Sequence, residues 1–161
     1  MLRSRLTALL FLALALAGAG SLPAVAGDSE LVVIVNAKNP ASALSRDELE
    51  SLFTLSRQRW SHGDAVIVLN LEAGTPARVH FDRVVLGMTP DEAARFWIDR
   101  RIRGRGNPPT KAPNATTVIK AVAALSGAIG YVPKSQLPAG VKVVAQITSD
   151  RVVPEKQGSS R

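Results

Sequence analysis

The chain has 161 residues, no cysteine, and 20 Lys and Arg against 13 Asp and Glu, giving a formal net charge of +7. The lack of cysteine excludes disulfides, thiol catalysis and any Cys-based metal site, so stability has to come from packing. The length suits one domain with a real core.

The first residues read as a targeting segment. Arg3 and Arg5 form a short basic head, "LTALLFLALALAGAG" an apolar run, and "AVA" at 24–26 a small-residue cleavage signal. A membrane span needs about 20 apolar residues; this run is short for one, and no other stretch approaches that length. Residues 1–26 are therefore expected to be a cleavable signal peptide, with a retained N-terminal anchor as the alternative. The mature protein is expected to be periplasmic or secreted, with no transmembrane span after signal removal. Removing 26 of 161 residues leaves 135, and losing two arginines lowers the net charge to +5.

"LVVIVNA" (31–37), a β-branched run closed by "KNP", predicts a buried strand. "LSRDELESLFTL" predicts a helix with Ser45 as N-cap, Glu48 completing a capping box, and Leu44 and Leu49 as a hydrophobic staple. Leu49, Leu52 and Phe53 mark its buried face. After the polar loop "RQRWSHGDA", "VIVLNL" (66–71) predicts a second buried strand. A helix opens at Thr75-Pro76, shows Phe81, Val84, Val85 and Met88 at helical spacing, and stops at Gly87. The next starts at Thr89 with Glu92 as capping partner, and presents Phe96 and Trp97 to the core. It ends in "DRRIRGRGNPP", whose glycines and prolines oppose regular structure. Asn114 caps a further helix, with Val118, Val122 and Leu125 on one side and Gly127 as its stop. "AIGYV" (128–132) and "VKVVAQI" (141–147) predict two more strands. Continuous apolar strands alternating with helices predict an α/β sheet of about four strands covered on both faces. Residues 27–147 are expected to form one domain, and 148–161 a polar, loose C-terminal tail.

One helix start is electrostatically odd. At Thr89-Pro90 the next residues are Asp91 and Glu92, which suit the positive end of the helix dipole; at Thr75-Pro76 they are Ala77 and Arg78. The loop after the second strand delivers Gly74 and Thr75 to that helix N-terminus, where backbone N–H groups and the dipole can hold an anion. Arg78 would pair with it, its planar fork suiting a tetrahedral oxyanion. The plain alternative is an ordinary cap with Arg78 in water, the dipole conflict costing about 0.3–1 kcal/mol.

From Arg95 to Lys111 six basic residues face one acid, Asp99. A solvated cationic helix end explains this, and so does a positive rim of Arg101, Arg103 and Arg105 that attracts anions. Nucleic acid is not expected, because the protein is exported and no aromatics interleave with the basic residues. His62 lies beside Gly63-Asp64 and His80 near Asp82, and neither has the spacing of a known metal motif. The Gly-x-Ser-x-Gly elbow, the Walker pattern and the Rossmann fingerprint are missing. No enzyme activity and no cofactor are expected.

Several phrases line up with one family. "LSRDELESLFTLSRQRWSHGDAVIVLNL" resembles a segment of the phosphate-binding proteins of ABC transporters. "FWIDRRIRGRGNPP" resembles the Trp-containing helix and Gly-x-Gly-x-Pro-Pro loop of their short, single-domain members, and "VIKAVAALSGAIGYV" is similar to a later helix and strand. The resemblance covers about residues 31–147. It implies a type 2 periplasmic-binding-protein-like fold of one lobe and binding of phosphate or a related oxyanion, in an ABC-type phosphate uptake system. Full-length relatives contact phosphate with a Ser-Gly-Thr-Arg-like turn at a helix N-terminus. The positions that match lie in Gly74, Thr75, Ala77 and Arg78, with Ala73 where the serine is expected and Pro76-Ala77 separating threonine from arginine. Those relatives close two lobes on the ligand, and this chain is long enough for about one. A homodimer partner could build the second wall and an ABC permease receive the anion. The alternative is an envelope interaction or accessory module that keeps the fold without transport.

Overall fold

The computed structural model describes residues 30–155, so residues 1–26, expected from sequence to be a signal peptide, and residues 156–161 lie outside the described part. The central strand is β1 (Leu31–Asn36), the run LVVIVN, and all six of its residues are buried. It pairs antiparallel with β4 (Ala128–Pro133) on one side and with β5 (Val141–Ile147) on the other. A bulge lies in the second pairing, where Val33 faces Ala145 and Ile34 faces Val143. The extra residue, Val144, offers its carbonyl to the N–H groups of both Leu44 and Glu155.

Parallel to β4 runs β2 (Ile67–Leu71), which in turn pairs with the short β3 (Thr110–Ala112). At the opposite edge β6 (Val152–Pro154) pairs antiparallel with β5. The result is one six-stranded mixed sheet in the order β3-β2-β4-β1-β5-β6. The expected four strands are its four inner members. The two additions are three-residue edge strands, too short and too polar or Pro-flanked to show an apolar period. β6 falls within the stretch read from sequence as a loose tail, and backbone pairing to β5 is what places it in the sheet.

The α-helices among the described residues are α1 (Arg46–Phe53), α2 (Pro76–Phe81), α3 (Pro90–Ile102) and α4 (Ala115–Ala124); α1, α2 and α4 contribute side chains to the core on the sheet, and α3 lies outside that core. Successive residues of a strand point to opposite faces, and Gly130-Tyr131 in β4 shows how each face is used. At Gly130 helix α4 comes so close that an added Cβ would lie 2.4 Å from Val118 Cγ1. On the other face Tyr131 stacks on Phe81 with ring centroids 3.9 Å apart, and Phe53 tilts against both.

The caps form as expected: Ser45 and Glu48 close a capping box on α1, Thr89 and Glu92 on α3, and Asn114 caps α4. Beyond Phe81 the helix widens into a π-helical turn, Asp82–Leu86, before Gly87 ends it in the left-handed conformation. Three details differ from the sequence expectation. Phe96 is only half-buried, and neither it nor the buried Trp97 belongs to the core on the sheet. Leu125 is 42% exposed, outside the buried stripe of α4. Gly127 lies past the helix end, and its need for glycine is spatial: a Cβ there would sit 2.2 Å from the Ala65 carbonyl oxygen. Among the described residues no helix is long and apolar enough to cross a membrane.

Candidate functional site

Strand β2 ends at Leu71, and the chain turns through Gly74 at φ +83°, a left-handed conformation that glycine adopts without strain, into α2. Thr75 is the N-cap: its Oγ1 accepts from the Arg78 N–H at 3.3 Å and donates to the Glu72 carbonyl at 2.9 Å. Ala77 is half-buried and packs against the core.

Arg78 is buried, so it does not extend into water. Its Nε donates to both carboxylate oxygens of Asp82, at 2.8 and 2.7 Å, and its Nη1 donates to the Leu71 carbonyl at 3.2 Å. Nη2 has no partner among the described residues. Burial pushes the Asp82 carboxyl above its ordinary range, and the Arg78 charge opposes that push. The positive charge in the first turn of α2 is thus neutralised one turn later, at the i+4 position.

Gly74, Arg78 and Asp82 form part of one wall of a cleft of about 240 Å³. The rest of the lining comes from Ala93, Trp97, Ile98 and Arg101 of α3, from Pro108 and Pro109 of the loop that follows, and from Lys111 of β3. Parallel pairing of β3 with β2 sets Lys111 beside Asn70, on the same cleft as Arg78. Arg78, Arg101 and Lys111 therefore share the cleft with a single lining carboxylate, Asp82, already paired to Arg78. Asn70 lies at the base; its Oδ1 accepts from the Tyr131 hydroxyl at 2.6 Å. Burial raises the Tyr131 hydroxyl far above its ordinary value, so it stays a donor.

The sequence candidates are thus divided. Gly74, Arg78 and Arg101 meet in the cleft, whereas Thr75 and Ala77 do not line it. Arg103 pairs with Asp99 at 2.8 Å, and Arg105 is exposed, its carbonyl accepting from Arg100. Arg100 itself lies over the Phe96 and Trp97 rings, 5.6 and 5.7 Å from their centroids. Asp82, Lys111 and Trp97 were missed as site residues. The i,i+4 spacing of Arg78 and Asp82 was the signal available for the first of them. Among the described residues no cluster of three or more metal-ligating side chains occurs.

No protein-family model matches the chain, and the search of curated proteins gives no match. Solved structures do share its fold. An ABC-type phosphate transport receptor from Vibrio cholerae superposes with a TM-score of 0.57 at 16% identity, over 72% of this chain and 46% of the receptor. A phosphate-bound structure from Clostridium perfringens, assigned to phosphate ABC transporter substrate-binding proteins, gives 0.58 at 18% identity, over 72% and 45%. PstS from Borrelia burgdorferi gives 0.54 at 13% identity, over 72% and 50%. The chain has the fold of these substrate-binding proteins and spans about half the length of those it matches.

Proposed function

We propose that the protein is an exported, non-enzymatic solute-binding protein that holds phosphate or a related oxyanion in the cleft between α2 and α3. One observation carries this reading: Arg78, Arg101 and Lys111 converge on a single cleft whose only lining carboxylate is neutralised by Arg78. Such a surplus of positive charge between apolar walls suits an anion that has shed part of its water. The Nη2 of Arg78 supplies a donor, and Arg101 and Lys111 supply charge from α3 and β3. In this reading the anion is delivered to an ABC permease in the periplasm, and a second copy of the chain covers the open side. Ligand-linked stabilisation tests it, since a ligand that binds only the folded state raises the unfolding temperature. Millimolar phosphate or sulfate should do so where chloride at equal ionic strength does not, and equal melting in all three salts would remove the anion site.

A second reading, an envelope interaction module, is favoured by the end of α3, where Ile98 and Ile102 are 54% and 79% exposed beside the basic loop. Changing Arg101, Arg103 and Arg105 to serine discriminates. Loss of a captured envelope partner without loss of phosphate binding would favour the module.

A further inference from the structure

Resting on the oxyanion reading above, we propose that the preferred ligand of the cleft is an organic oxyanion, a phosphonate or phosphate monoester bearing one apolar group of about ring size. Its volume is the first observation. At roughly 30 Å³ per water, 240 Å³ holds about eight waters, well beyond the five heavy atoms of a phosphate ion. The walls are the second. Ala93, Trp97 and Ile98 lie along one side of α3 at i, i+4 and i+5, and the Pro108-Pro109 pair continues that apolar surface, while the cations occupy separate positions.

Inorganic phosphate presents oxygen on all four sides. An oxygen of the ion turned toward Ala93, Ile98 or the prolines meets no hydrogen-bond donor, and it would be desolvated there without a partner. A phosphonate replaces that oxygen with carbon, and a monoester replaces it with a substituted oxygen. In both, three oxygens remain for Arg78, Arg101 and Lys111, and the organic group covers Trp97 and Ile98. The water leaving those side chains then adds to affinity.

Calorimetric titration of the protein with inorganic phosphate, methylphosphonate, propylphosphonate and phenylphosphonate, at one pH and ionic strength, tests this. Affinity is expected to rise along the series, with phenylphosphonate at least about tenfold tighter than phosphate. Binding of phosphate with affinities flat or falling toward phenylphosphonate would overturn the organic-ligand inference and leave the anion site standing. Heat from none of the four would overturn both.

Discussion

Asp82 holds the Nε of Arg78 between its two carboxylate oxygens, at 2.8 and 2.7 Å, and the two residues sit one helical turn apart at the wall of the cleft. This pair explains how α2 tolerates an arginine in its first turn with no acid beside it. The carboxylate is supplied by the next turn, at the start of the π-helical segment, and the pair is buried together. It also sets the direction of the guanidinium: with Nε on Asp82 and one Nη1 hydrogen on the Leu71 carbonyl, the Nη2 hydrogens and the second Nη1 hydrogen are left for a ligand.

Breaking a buried ion pair from one side strands the other charge, which typically costs about 3–5 kcal/mol. Arg78→Ala is therefore expected to lower stability to urea by about that amount, because Asp82 would be left buried without its counter-ion. The double variant Arg78→Met/Asp82→Leu should recover most of the loss. Equal stability of wild type and Arg78→Ala would show that the pair is not held as described.

The pair also sets a pH dependence. Burial raises the Asp82 carboxyl above its ordinary value of 3.8, so the folded protein keeps this proton at pH values where the unfolded chain has lost it. Stability contributed through this group is greatest below the unfolded value and falls as pH rises through the folded one. Urea unfolding of wild type and Asp82→Asn from pH 3.5 to 7 should therefore show wild type gaining on the variant as the solution is acidified. A gain in the opposite direction would mean that the Arg78 charge outweighs burial.

Gly127 accepts hydrogen bonds at its carbonyl from Ile67 N–H and from Trp60 Nε1, both at 3.0 Å, and leaves no room for a side chain. In Gly127→Ala the new methyl would meet the Ala65 carbonyl oxygen, forcing apart the start of β2 and the start of β4. A loss of about 1–3 kcal/mol is expected in thermal or urea unfolding. A variant as stable as wild type would contradict the close approach.

At the base of the cleft, Tyr131→Phe removes the donor that satisfies Asn70 Oδ1 and leaves that oxygen buried. A loss of about 1–3 kcal/mol is expected. The accompanying Asn70→Ala variant should couple to it in a double-mutant cycle. Additive losses would mean that the 2.6 Å contact contributes nothing to stability.

Local chemistry made much of the fold legible. Ser45, Thr75, Thr89 and Asn114 each announce a helix by a side chain that can accept from the first turn, and each does cap one. β1, β2 and β4 show as apolar runs because they are buried almost throughout, and β5 shows by its valines and isoleucine although it is only partly buried. β3 and β6 do not, since three residues carry no period and their place is decided by backbone pairing with β2 and β5. The site was legible only in pieces. Gly74, Arg78 and Arg101 stand out by charge and position, but Lys111 joins them through the pairing of β3 with β2, which no local rule specifies. Asp82 is invisible to a first-turn charge rule for α2, because it meets Arg78 from the i+4 position.

Calorimetric titration of phosphate into wild type and into the Arg101→Ser/Lys111→Ser variant tests the anion cleft most directly. Both positions are exposed, so the variant should fold as wild type does. Saturable heat with wild type, and at least about tenfold weaker binding in the variant from loss of two cations, is the expected result. Equal binding by the two proteins, or no heat with wild type at millimolar phosphate, would contradict an oxyanion site between α2 and α3.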